Sequence, residues 1–322
     1  MPDITRRNVL QQAALAAGAA TLLGSRLNAA ANTAPAWPTL FPDGFKNERV
    51  KTSGAEINVV HGGDGPAVLF MHGAPQSLCT WHQVAPEISK HHRMIMIDLR
   101  GYGDSSKPET LSDHSNQSKR PMALDGVEVM KHFGFEKFAV VGHDRGGRVG
   151  HRMARDHADK VTKLITIDIV PALYLYTHVT IDFVQAYFHW FNYIRAAPVP
   201  ENEVKAQFEQ MAQRATGLQA EYMRGMLLPG SIHSMCEDYR ASASIDLKLD
   251  EEDQKNGVKV MCPLHVLWAA PPGGAMGRLY DVLGIWKNEG VSVTGRAMQG
   301  GHSLQEGNPK ETAEEILNFL KV

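Results

Sequence analysis

Lys137-Phe138-Ala139-Val140-Val141-Gly142-His143-Asp144-Arg145-Gly146-Gly147-Arg148 is where the fold of this chain is decided. An apolar, β-branched run ends at Val141, glycines stand two residues either side of Asp144, and from Gly146 to His157 the spacing turns helical. A strand that passes into a helix through such a turn presents its central side chain above the sheet on a strained backbone, the geometry of a nucleophile elbow. The central residue is a carboxylate. Already ionised at neutral pH, it attacks without a base, and its natural target is a tetrahedral carbon with a leaving group, giving an ester. Aspartate is also a favoured helix N-cap, so the reading of Asp144 depends on what the rest of the chain supplies.

Outward from the elbow, short β-rich runs alternate with helical ones. Glu56 to His61, Ala67 to Met71 and Arg93 to Ile97 read as strands, Pro121 to His132 as a helix with proline in its first turn, and Lys163 to Ile167 as the next strand. Such alternation builds a mostly parallel sheet covered by helices on both faces. It breaks between about Val170 and Ile245, where the chain becomes helical and aromatic. Strands resume at Lys259 to Trp268 and Val291 to Ala297, and a helix at Pro309 to Leu320 closes the body. The expected plan is an α/β core over 32–169 and 248–322, with a helical cap over 170–247 inserted after the sixth strand.

Three further pieces fall where the elbow needs them. His302 stands in Gln299-Gly300-Gly301-His302, a glycine-rich loop after the last strand from which an imidazole reaches back to the elbow. Asp168 ends the strand before the break, placed to hold that imidazole in one tautomer, or else to cap a loop as a carboxylate does. Met71-His72-Gly73-Ala74-Pro75 follows a strand, so the backbone N–H of Ala74 and that of Arg145 are the candidates for an oxyanion hole. Arg145 and Arg148 share one face of the elbow helix. Two guanidiniums beside a nucleophilic carboxylate suit a substrate with its own carboxylate, which arginine binds through parallel hydrogen bonds; the alternative is that they pair with acidic neighbours and position Asp144.

With HGAPQS at 72–77, DLRGYGDSS at 98–106, GHDRGGR at 142–148, His189-Trp190 and Asp238-Tyr239-Arg240, the chain resembles the α/β-hydrolase family, and within it the haloacetate dehalogenases of the fluoroacetate type. The resemblance runs from about Phe41 to the C-terminus. It implies an eight-stranded α/β-hydrolase sheet, a catalytic Asp144, His302 and Asp168, carboxylate binding by Arg145 and Arg148, and halide binding by His189, Trp190 and Tyr239. All three of the latter carry N–H or O–H donors. The neighbouring Tyr187, Phe188 and Phe191 are expected to pack. Ala74 stands where these enzymes commonly carry a bulky aromatic, and the stretch between His189-Trp190 and Tyr239 is shorter than the pattern, so both bear on substrate size. The expected reaction converts fluoroacetate or chloroacetate to glycolate and halide without metal or organic cofactor. An epoxide hydrolase using the same Asp-His-Asp machinery is the nearest rival, and it needs a second cap tyrosine besides Tyr239. A non-catalytic carboxylate-binding protein is the rival from another class.

Of 322 residues, 43% are hydrophobic and 21% charged, enough for a packed core and unlike a disordered chain. Basic and acidic residues number 33 and 35, giving a formal charge of -2, so nothing marks a nucleic-acid or acidic-lipid partner. Cys79, Cys236 and Cys262 are too few and scattered for a disulfide framework or thiolate metal site; at most one bridge is possible. Residues 5 to 31, TRRNVLQQAALAAGAATLLGSRLNAAA, run from Arg6-Arg7 through an apolar stretch to small residues, the order of an export signal of twin-arginine type. Cleavage is expected after Ala31, placing the protein in the periplasm, with a cytoplasmic protein bearing a mobile leader as the alternative. Loss of Arg6, Arg7 and Arg26 with Asp3 takes the charge from -2 to -4. A homodimer is the default assembly.

Overall fold

The computed structural model describes residues 37–321; the leader at 1–31, with its Arg6-Arg7 pair, lies outside the described residues. Eight strands form one sheet in the order β1-β2-β4-β3-β5-β6-β7-β8. They are β1 Lys46–Lys51, β2 Glu56–Gly62, β3 Ala67–Met71, β4 Arg93–Ile97, β5 Phe138–His143, β6 Val161–Ile167, β7 Leu264–Ala269 and β8 Val293–Met298. Only the pairings of β2 with β1 and with β4 are antiparallel. Strands β3 and β5 are buried along their whole length because helices cover both faces, which is why they read as unbroken apolar runs. The sequence reading does not name β1, because KNERVK is an edge strand whose charged side chains mostly face water. The run expected from Lys259 becomes a strand only at Leu264, since Pro263 has no N–H for the ladder.

From β3 the chain goes to β4 on one side and then to β5 on the other, so the strand order switches there. Open α/β sheets bind ligands outside the carboxyl ends of the strands at such a switch. The ends of β3, β5, β6 and β8 deliver Ala74, Asp144, Asp168 and His302 to that rim. The elbow helix Arg145–Asp156 packs on the helix Lys119–His132 and the sheet, and is buried from Arg145 through Ala154.

Seven helices separate β6 from β7, from Ala172–Thr177 to Ile245–Lys255. The last straddles the expected limit at 247. Its Asp250 and Asp253 each take a 2.6 Å hydrogen bond from Arg152 of the elbow helix, so the segment is pinned to the core as helix rather than returning to the sheet at once. Cys79, Cys236 and Cys262 are free thiols. Among the described residues no helix is long and apolar enough to cross a membrane.

Candidate active site

Backbone packing makes the elbow. Asp144 holds φ 45° and ψ -113°, a region costly for any side chain. The turn closes so tightly that a Cβ on Gly142 would lie 2.4 Å from the Gly146 carbonyl oxygen, and one on Gly146 would lie 2.4 Å from that of Met71. The Gly146 N–H donates to the His72 carbonyl at 2.9 Å, tying elbow to β3. Glycine is required at both places. The Asp144 side chain is therefore fixed by the sheet beneath it.

The Ala74 N–H donates to Asp144 Oδ1 at 3.1 Å, and His302 Nε2 lies 4.0 Å from Oδ2. Oδ2 is thus free of a direct bond to the imidazole. On the other side of the ring, Nδ1 meets Asp168 Oδ2 at 2.5 Å, while Asp168 Oδ1 accepts from the Ala269 N–H at 2.9 Å. With Asp168 as acceptor, Nδ1 carries the proton and Nε2 faces Asp144. The structure brings these three side chains together as the spacing suggests. Burial raises the Asp144 carboxyl, but His302, His143, Arg145 and Arg148 outweigh it and leave the pKa at about 2. Burial lowers His302, and the bond to Asp168 and the charges of Asp144 and Asp168 reverse that to a net rise. The result is an ionised carboxylate beside a histidine that titrates above its ordinary 6.5.

Behind the triad lies a polar network that the sequence reading missed. His143 is buried, and its pKa falls to about 3 through burial and the His302 charge. Its Nε2 meets the His302 carbonyl at 3.0 Å and its Nδ1 meets the Gln76 side chain at 3.0 Å. Gln76 in turn reaches Ser303 Oγ at 2.9 Å and Glu306 at 2.7 Å. The network clasps the loop that carries His302. The one signal available was that Gln76 belongs to the HGAPQS stretch.

The arginines are deployed unequally. Arg145 gives Nε and Nη2 to Asp238 at 2.8 and 2.6 Å, with Ser242 Oγ a further partner of Nη2, so its fork is not open for a parallel grip on substrate. Asp238 also accepts from Tyr102 at 2.8 Å and pairs with Lys119. Burial raises the Asp238 carboxyl, and Arg145 and Lys119 more than offset that, holding it well below the usual range. Arg148 gives Nη1 to the Val170 carbonyl at 2.9 Å, and among the described residues no carboxylate pairs with it. Burial, then the Arg145 charge, depress Arg148 to about 10. Two buried donors are left without a protein partner, Nη1 of Arg145 and Nε of Arg148. A cationic N–H left unmatched in the interior is costly. Neither guanidinium lines the cavity above Asp144: the Tyr239 and Trp190 rings lie over them, and Arg148 borders a separate small hollow with Lys119, Ser242 and Asp246.

A cavity of about 490 Å³ opens above Asp144 and His302, with Ala74 in its wall. His189, Trp190 and Tyr239 line it from the cap, and their rings meet edge to face, Tyr239 lying 6.0 Å from His189 and 5.7 Å from Trp190. The ring of Tyr239 faces the Arg145 guanidinium at 4.2 Å and that of Trp190 faces Arg148 at 4.6 Å. Tyr187 packs against the core as expected and lines the cavity as well, while Phe188, expected to pack, stands exposed at its mouth, because the helix breaks between Ile181–Ala186 and Phe188–Tyr193. Phe191 does pack against the core. The one cluster among the described residues with metal-ligand spacing, Glu201, His233 and Glu237, is already bridged by Arg240 Nη1 at 2.7 and 2.6 Å. A guanidinium holds the place of the cation.

Residues 66–220 match the family model described as the alpha/beta hydrolase fold. A fluoroacetate dehalogenase of Burkholderia sp. is 38% identical over 86% of this chain and 94% of its own. The chain belongs to the α/β-hydrolase family. This hydrolase is also 30% identical to the soluble epoxide hydrolase of Corynebacterium sp. (strain C12), over 83% of the chain and 94% of the relative. A crystal structure of an α/β hydrolase from Nostoc sp. PCC 7120 superposes with a TM-score of 0.82 at 42% identity, covering 86% of this chain and 98% of that one. The likeness thus extends through core and cap alike.

Proposed function

We propose that this hydrolase cleaves the carbon–halogen bond of short 2-haloacids, converting fluoroacetate or chloroacetate to glycolate and halide. Asp144 Oδ2 attacks C2; the C2–halogen bond breaks, and halide leaves with the bonding pair toward the N–H and O–H donors of His189, Trp190 and Tyr239. His302 Nε2 then takes a proton from water, whose oxygen adds to Asp144 Cγ. The oxyanion develops where the Ala74 N–H already donates, with the Arg145 N–H at the start of the elbow helix beside it. The ester breaks at Cγ, the departing glycolate oxygen recovers the proton from His302, and the Asp144 carboxyl loses the remaining water proton to solvent as it re-ionises. Arg145 Nη1 and Arg148 Nε receive the substrate carboxylate.

The observation that carries this reading is that unmatched pair of buried guanidinium donors beside an ionised nucleophile. A neutral epoxide leaves both unmatched. The epoxide reading draws its own support from Tyr187 and Tyr193, which line the same cavity as Tyr239 and supply the second acid it needs. Turnover separates the readings. The expected result is halide release from chloroacetate by the wild type, none from Asp144→Ala, and a KM raised about ten- to a hundredfold in Arg148→Ala. In heavy-oxygen water a single turnover places the label in residue 144. Diol formation from styrene oxide without halide release would favour the epoxide reading, tight haloacetate binding without turnover would favour a receptor, and full activity in Asp144→Ala would remove covalent catalysis altogether. We further place the reaction in the periplasm on the twin-arginine-type leader, with a mature N-terminus at Asn32 as the readout.

A further inference from the structure

The cavity is far larger than a haloacetate. A water claims about 30 Å³ of liquid, so the five heavy atoms of chloroacetate take up at most roughly 150 Å³ of the 490 Å³ present. Asn192 and Gln207 give the surplus some polar lining, but the larger share is apolar. Phe208 and Met211, one helical turn apart on Val199–Ala212, line it together with Met235 of Ser231–Ser242. Phe208 and Met235 are 5% and 1% exposed, so they form an inner wall rather than the rim, where Phe188 stands 63% exposed. Met235 lies four residues before Tyr239, hence on the same helix face as a proposed halide donor. Across the cavity, Ala74 contributes only a methyl group beside the nucleophile.

Resting on the haloacid reading above, we infer that this wall is a subsite for an apolar substituent on C2, and that the enzyme takes 2-haloalkanoates with a hydrocarbon tail. With Asp144 on one side of C2, halide leaving on the other and the carboxylate on the arginines, the tail and a hydrogen share the two remaining positions. Only one enantiomer aims its tail at Phe208 and Met235. Displacement inverts C2 and ester cleavage at Cγ leaves it untouched, so that enantiomer yields a 2-hydroxyacid of inverted configuration.

The test is halide release from 2-chloropropionate, 2-chlorobutyrate and 2-chlorohexanoate, all secondary chlorides, beside chloroacetate. KM should fall about fourfold for each methylene buried, with half of each racemate consumed. In Phe208→Trp and Met235→Phe, which fill the wall, the fall should vanish; chloroacetate turnover by the same variants reports that they fold. Release from chloroacetate with no release from the longer acids, or a KM that stays flat or rises along the series, overturns the subsite and leaves the proposed function standing. Release from none of them overturns both.

Discussion

Asp144 and Tyr239 face each other across one cavity, yet different forces hold them. Asp144 is set by backbone: two parallel strands, a close-packed glycine pair and an amide on Oδ1 leave its carboxylate one place to be. Tyr239, Trp190 and His189 are set by rings packed edge to face on one another and over guanidiniums, with Phe188–Tyr193 a helix of six residues. Backbone geometry is rigid to a fraction of an ångström, whereas ring packing tolerates exchange of similar shapes. The sheet side therefore fixes the chemistry, and the cap side decides what the chemistry is applied to.

The harshest test of that contrast is Gly146→Ala. Its Cβ would lie 2.4 Å from the Met71 carbonyl and 2.6 Å from that of His72, both backbone atoms of β3 and the loop after it, which cannot yield without moving Ala74. We expect more than about a hundredfold loss of halide release, the scale that misplacement of reacting groups by an ångström brings. Gly150→Ala, four residues along the same helix, meets Leu164 Cδ1 at 3.0 Å and Val140 Cγ1 at 3.2 Å, side-chain ends that can shift. It should retain most activity. Equal losses in the two variants, with matched thermal unfolding, would show that the elbow is not specially constrained.

Next in size is Trp190→Phe, which keeps a ring over Arg148 and removes the N–H. If the cap acts on the leaving group through that donor, halide release should fall about ten- to a hundredfold, the worth of one hydrogen bond to a charged group. The loss should be larger for fluoroacetate than for chloroacetate, since fluoride needs its developing charge met most. A change in KM alone would reduce Trp190 to packing.

The same contrast explains what the sequence disclosed. Asp144, Asp168 and His302 stand at strand ends, where apolar period and glycine spacing are local signals, so their meeting was legible. The Asp238 to Arg145 pair joins residues 93 apart in sequence and through the tertiary fold alone, and no local pattern announces that an arginine fork is already engaged. Tyr187 looked like core and does pack there; its second face, on the cavity, comes from the break after Ala186, which the spacing of the aromatic run did not announce. The Gln76 and His143 network was hidden for a similar reason, since its purpose is to hold a loop 159 residues away.

The smallest effect separates the halves by pH. In the sheet half, His302 has its pKa raised above 6.5, burial being outweighed by Asp168 and Asp144, while Asp144 stays ionised down to about 2. In the cap, burial lowers His189, so it remains neutral throughout the range above 6.5. In the proposed mechanism hydrolysis of the ester needs His302 unprotonated, and esterification removes the Asp144 charge that helps raise it, so turnover should rise with pH through a value below that of the free enzyme and fall about tenfold per unit beneath it. Ester formation needs only Asp144. Below that value each active site should therefore release one equivalent of chloride in a burst, then turn over slowly, and mass spectrometry should find the ester on residue 144. Stability moves the other way. A group whose folded pKa is raised contributes fully below its unfolded value and loses that contribution as pH rises past the folded one, so the His302 contribution to folding fades as pH climbs from 6.5 past the raised value of the free enzyme. A burst that disappears together with turnover would assign the acid limb to the attack step instead, and with it to the cap side of the cavity.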